Sequence, residues 1–439
     1  MVSPSRLIKA QVRDTSDQLG VTPRKLELGS ELSSGIPRMI RWTFLVFVFS
    51  VPFDSTTFGF MSPSLSLAKL LGFLFFASCL TSPRKCFSRL PHVIWWFFGY
   101  LLIFLFSSLF SSEFFLQNIL IKFLTRLQLI LLLWVAYNLM QEEEITKNTL
   151  LIYTVSSSLL ALVMLAGVAG FSEVTEYETF TRTTVFGEDP NMLAVKMALA
   201  VVMGIGIVLH KINHHSWEKI LVIALLPSLI VGILATGSRT GAASLIIGSA
   251  VYLLPSGRAR RKITTIVLAF FSLIALVYIV AHDSSSSSRW SQTYHEGKTS
   301  GRDRIYQAAI EMAKERPIFG WQPEAFLFEL EKRVQERGTG LDPHNLYLYL
   351  LLEVGIVGAA PFLIGLWLCV QSAWKGRAGR LATLPLAALL TVLSANLAII
   401  WMTRKPMWIV LAMTLAASHH RLHRYRTKHI AAVPTRSRA

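Results

Sequence analysis

Three short polar stretches interrupt an otherwise apolar chain, and each carries residue types suited to anion or hydroxyl chemistry. The stretch TRTTVFGEDPNMLA (181–194) holds one basic side chain, Arg182, ahead of a Pro190-Asn191 helix start at which Asn191 is a candidate cap. The stretch ATGSRTGAAS (235–244) sets Arg239 in a turn, with Gly237 and Gly241 read as turn residues and Ser238 or Thr240 as caps for the next helix. The stretch LDPHNLYLYLLLEVGIVG (341–358) places His344 and Asn345 before an apolar run that contains Glu353. Gly355 and Gly358 are expected to break or bend the helix there.

An arginine beside helix N-terminal amides makes an anion site, because guanidinium and amide groups both donate to oxyanions. A histidine titrates near neutral pH and can take a proton from a hydroxyl. An ionisable group inside a span costs about 2.5–3.5 kcal/mol, so Glu353 needs a cavity or a partner. Each stretch alone also has an ordinary reading: a capped turn with a solvated arginine, an arginine snorkelling to headgroups, a histidine packed locally. Together they suit a lipid-linked pyrophosphate and a hydroxyl nucleophile. No HExxH, CxxC or paired-Asp motif offers a metal site, and no P-loop or dinucleotide fingerprint appears, so no metal or cofactor is expected.

The elements that carry these stretches are membrane helices. The 439 residues are 53% hydrophobic and 16% charged, against about 25% charged in soluble domains. Mean hydropathy is +0.49. The apolar runs are continuous, which excludes the alternating pattern of a β-barrel. They predict an all-α polytopic protein with about 12 transmembrane helices, near 42–60, 64–80, 92–111, 118–139, 148–170, 191–210, 219–236, 241–256, 263–281, 346–374, 382–402 and 405–419.

The net charge of +17 is spread in a pattern that fits topology better than nucleic-acid binding. One set of alternate loops holds Arg84, Lys85, Arg89, Lys211, Arg258, Arg260, Arg261, Lys262, Lys375, Arg377 and Arg380; the other holds few. Both tails, 1–41 and the basic 420–439, join the first set and are expected in the cytoplasm, on either side of a transmembrane domain 42–281 and 346–419. All three polar stretches then face outside. Residues 282–345 form one large outer loop, expected to contain a helix capped by Ser300 and stopped by Pro317 and Gly320, and a second helix from Pro323 to Arg337. Lys69, Lys122, Arg126 and Lys196 fall within spans, where snorkelling accounts for most of them. Cys79, Cys86 and Cys369 all fall in segments not placed outside, and no disulfide is expected.

The ordered segments FGEDPNMLA, GSRTGAASLIIG, GRDRIYQAAIEMAKERPIFGW and HNLYLYLLLEVGIVGAAPFL resemble the O-antigen ligase and Wzy-type polysaccharide polymerase superfamily over roughly residues 180–375. Two departures are Trp321-Gln322, where a second glycine often follows, and Tyr306, where tryptophan is common. The resemblance implies a GT-C-like membrane glycosyltransferase at the outer face of the bacterial inner membrane. It implies an undecaprenyl-pyrophosphate-linked glycan as donor and lipid A core, a second repeat unit or another hydroxyl as acceptor. Arg182 and Arg239 would hold the pyrophosphate, Arg302 would be a further anion or sugar contact, and His344 would activate the acceptor. Asn191, Asn345 and Glu353 would support them. The competing class is a glycan transporter or flippase, which predicts matched broken helices in two repeated halves; no such repeat is visible.

Overall fold

The computed structural model describes residues 35–54, 66–111, 115–168, 172–177, 180–209, 215–254, 302–334 and 341–431, with side chains at the carboxyl end to Ser418. The expected ninth span (263–281), most of the amino-terminal tail and the Ser300 cap lie outside the described residues. The helices are α1 (Arg38–Ser50), α2 (Leu67–Cys79), α3 (Val93–Ser108), α4 (Leu116–Leu139), α5 (Glu143–Leu165), α6 (Pro190–Leu209), α7 (Ser216–Ala235) and α8 (Arg239–Ala250). Then come α9 (Arg302–Glu315), α10 (Ala325–Val334), α11 (Leu346–Gly376), α12 (Leu384–Ala395) and α13 (Lys405–Ala431). Among the described residues α4, α5, α6, α7 and α11 are long and apolar enough to cross a membrane, and α2, α3, α12 and Lys405–Ser418 are shorter apolar helices. The protein is a mostly helical, polytopic membrane protein.

The helices form two packed groups. In one, α6 is central and touches α5, α7, α8 and α12. Its burial follows from composition: small residues let neighbours approach closely. A Cβ on Gly241 of α8 would lie 2.4 Å from Ala194 Cβ. Gly241 is thus a packing residue rather than the turn residue expected from sequence; the turn is made by Gly237, at φ 60°. In the other group α11 packs on α3 and α13, and α13 on α4. The α12–α13 and α11–α12 contacts join the groups.

Three features correct the sequence reading. The chain is not wholly helical: β1 (Ser172–Tyr177) and β2 (Phe180–Val185) form an antiparallel hairpin that pairs Thr175 with Arg182. Its β-branched Val and Thr residues favour strand, a signal too short to register beside the long apolar runs. Second, snorkelling does not account for three of the four intramembrane cations, Lys122, Arg126 and Lys196. Lys196 is fully buried, with Nζ donating to Glu188 Oε2 at 2.7 Å and to the Pro52 carbonyl at 2.9 Å. Arg126 is buried against Glu353 at 2.7 Å, and Lys122 pairs with Glu324. In an apolar core a paired charge is tolerated where an isolated one is not. Third, of the two glycines expected to break or bend α11, only Gly355 does (φ 64°, ψ −169°), where two helices meet at a kink; Gly358 stays helical. The second helix expected over 323–337 is described over Ala325–Val334.

Candidate functional site

The site is built where β2, the α7–α8 turn, the start of α9 and the start of α11 meet. Gly237 N–H closes α7 by donating to Leu234 O at 2.8 Å, and Ser238 Oγ caps α8 by accepting from Gly241 N–H at 3.2 Å. Arg239 is therefore the first residue of α8, beside unsatisfied amides. Arg182 reaches from β2 to the same turn. Its Nε donates to the Thr236 carbonyl at 3.1 Å and its Nη2 to Asn191 Oδ1 at 3.3 Å. Ser238 Oγ donates to the same Asn191 oxygen at 2.9 Å. Asn191 thus ties Arg182 to the α8 cap. The cap of α6 is instead Asp189, whose Oδ1 accepts from Asn191 N–H at 2.8 Å and Met192 N–H at 3.0 Å.

The opposite wall comes from Leu341–Leu346. Asn345 caps α11, with Oδ1 accepting from Tyr347 N–H at 2.9 Å and Leu348 N–H at 3.1 Å. His344 is held at φ 44°, a left-handed conformation rare for a side chain of its size. Asp342 makes that turn: its Oδ1 accepts the His344 backbone N–H at 2.7 Å and the ring Nδ1–H at 2.9 Å. The ring's Nε2 is then the nitrogen able to accept a proton. Tyr306, on α9, donates to the Leu397 carbonyl at 3.1 Å, which Asn345 Nδ2 also meets at 3.1 Å.

Arg302 connects the two walls. It is the first residue of α9, and its charge bears on Arg239, on Asp342 and on Tyr306. Arg182 also repels Arg239. Burial opposes ionisation of Asp342, but the His344 hydrogen bonds and charge and the Arg302 guanidinium outweigh it and hold the carboxyl below the usual aspartate range. Burial likewise pushes the Tyr306 phenol up against the pull of Arg302. Two arginines thus open helices whose dipoles disfavour cations at that end, and repulsion adds to the cost. An anion bound among them would relieve both.

The structure brings together Arg182, Asn191, Arg239, Arg302, His344 and Asn345. It does not bring Glu353 there. Glu353 lies inside the bundle, accepting from Arg126 Nη2 at 2.7 Å, Tyr100 Oη at 2.9 Å and Tyr349 Oη at 3.0 Å. It steadies the Gly355 break from within and does not touch His344. Asp342 and Tyr306 are the site residues that sequence reasoning passed over. The signal for Asp342 was present: an aspartate two residues before the histidine is the spacing of an Asx turn. Among the described residues, no group of three or more His, Cys, Asp or Glu side chains assembles in metal-binding fashion.

The fold and site define a helical membrane protein in which arginines and a histidine gather at the starts of helices. The family model described as O-Antigen ligase matches residues 222–363, and over that stretch the chain is similar to the O-antigen ligase and Wzy-type superfamily. The matched stretch holds Arg239, Arg302, His344, Asn345 and Glu353, while Arg182 and Asn191 lie upstream of it. No curated protein matches the chain. That match supports a glycan-transferring role of ligase or polymerase type in polysaccharide biosynthesis.

Proposed function

We propose that the protein transfers a glycan from undecaprenyl pyrophosphate to an acceptor hydroxyl, on the outer face of the bacterial inner membrane. The acceptor hydroxyl attacks the anomeric carbon of the donor. The bond from that carbon to the pyrophosphate oxygen breaks, and the pyrophosphate leaves with the electron pair. The hydroxyl proton passes to His344 Nε2, while Asp342 holds Nδ1–H and stabilises the charge that forms. Negative charge grows on the leaving pyrophosphate, where Arg182, Arg239 and Arg302 stabilise it. No metal ion or cofactor is required in this scheme. The acceptor is lipid A core, a second lipid-linked repeat unit or another surface glycan hydroxyl.

The observation that carries this reading is the convergence of three arginines from three elements beside the Asp342–His344 pair. The test is reconstitution of purified protein with a lipid-linked glycan and each acceptor in turn. His344→Ala and Arg239→Ala are expected to lower transfer by about 10²–10³-fold while the protein stays folded. A chelator is expected to leave transfer unchanged. Near-normal transfer by both variants would overturn the site assignment, and strong inhibition by the chelator would overturn the metal-free scheme.

A further inference from the structure

The loop between α9 and α10 is built into the break of α11. Ile356 N–H donates to Pro317 O at 2.8 Å, Val357 N–H to Ile318 O at 3.2 Å, and Trp321 N–H to Leu352 O at 2.7 Å. These bonds satisfy groups that the break at Gly355 takes out of the helix, as non-helical backbone at membrane depth requires. The fit is backbone against backbone. A Cβ on Gly355 would lie 2.2 Å from Ile318 O, and one on Gly320 2.6 Å from Leu352 O. The loop therefore keeps a fixed height relative to the span.

That height follows from the helix after the break. Ile356–Gly376 is about 20 residues, or about 30 Å, enough to cross the hydrocarbon core alone. At its far end Arg377 lies over the ring of exposed Trp374, 3.5 Å from the centroid. At its near end Arg316 lies over the ring of Trp321, 4.1 Å from the centroid. Tryptophan and arginine are the residue types that settle at membrane–water interfaces, and here one pair brackets each end of the span. Just inside the near pair, Ile318, Phe319 and Ile356 are 57%, 56% and 56% exposed. The half-helix before the break, Leu346–Val354, has no exposed side chain.

We infer that Pro317–Trp321 is a membrane-inserted wedge: Ile318 and Phe319 enter the acyl region of the phospholipid leaflet at the site end of the bundle, and Arg316 meets its headgroup phosphates. The segment expected from sequence to be an outer aqueous loop is then partly in lipid. The wedge anchors the carboxyl end of α9 at the interface, and the amino end of the same helix carries Arg302. This last consequence rests on the proposed function; the lipid contact does not.

Cys79, Cys86 and Cys369 are buried, so a thiol-reactive bimane reports on an introduced cysteine. Ile318→Cys, Phe319→Cys and, as a control on the exposed face of α9, Glu311→Cys are labelled in the full chain. Each is reconstituted in phosphatidylethanolamine–phosphatidylglycerol vesicles. Bimane at 318 and 319 is expected to lose most of its emission to a doxyl-bearing phospholipid and little to aqueous iodide, with the reverse at 311. Quenching at 318 and 319 by iodide alone, or by neither agent, would overturn the inference. As a check that needs no substitution, unmodified protein is cross-linked to a phospholipid with a diazirine in its acyl chain. Adducts on the peptide containing Ile318 and Phe319 support the wedge, and their absence overturns it.

Discussion

Two clusters of charge sit in this bundle, and the chain treats them in opposite ways. Around Arg126 the charges are matched: the guanidinium pairs with Glu353, lies 4.0 Å from the centroid of Phe104, and two tyrosine hydroxyls complete the carboxylate. At the candidate site the charges are mismatched: Arg182, Arg239 and Arg302 crowd together, and the nearby Asp342 is engaged with His344. A matched buried cluster holds helices in register and calls for no further charge, even though Arg126 Nε and Nη1 are buried without hydrogen-bond partners among the described residues. In a mismatched one like charges repel, and a ligand of opposite charge would relieve that repulsion. Under the proposed function, the contrast separates structural from functional charge.

The largest effect expected from breaking the comparison is at the matched cluster. Arg126→Met leaves Glu353 buried without its cation, which costs about 3–5 kcal/mol and should show as loss of thermal stability in detergent. Adding Glu353→Gln to Arg126→Met should recover most of that loss, because the remaining group is neutral and can still accept from Tyr100 and Tyr349. If the double variant is no better than the single one, the pair is not what holds α4 to α11.

At the mismatched cluster the pattern should invert. Arg302→Ala removes a cation from a helix start and from the field of Arg239, so thermal stability should change by less than about 1 kcal/mol. Transfer should nonetheless fall by about 10²-fold, with the loss shrinking as the donor's phosphate charge is removed. A variant that loses stability and activity in step would place Arg302 with the structural charges instead.

The same contrast explains what could be read in the sequence. Among the described residues, length and apolarity located the five long apolar helices α4, α5, α6, α7 and α11, since a span must be continuous whatever it packs against. The helix-start arginines and the His344–Asn345 re-entry were legible because capping and turn chemistry are local. The partners of Arg126 and Lys196 were not, because the Arg126–Glu353 pairing crosses 227 residues and depends on which helices lie side by side. Glu188 pairs with Lys196 only eight residues away, yet a carboxylate in a polar turn gives no sign that it points into the core. The break at Gly355 was expected, but the turn that fills it was not, since nothing in PIFGW shows which distant backbone it meets.

The smallest effect tests whether Asp342 belongs to the site or merely to the turn. Its folded-state pKa lies below the ordinary aspartate value, so its contribution to stability is complete above that value and is lost as pH falls through the lowered one. Asp342→Asn should therefore be less stable than the parent at neutral pH, by less than about 1 kcal/mol because the pair is partly solvated, and the two should converge below about pH 4. Asparagine can still accept the backbone N–H of His344 and so keep the turn, but it carries no charge to stabilise the protonated ring. A turn residue would lose stability and leave transfer intact. A group that orients and stabilises His344 would lose transfer well beyond what the small stability change explains, and the pH dependence of the remaining activity would shift with it.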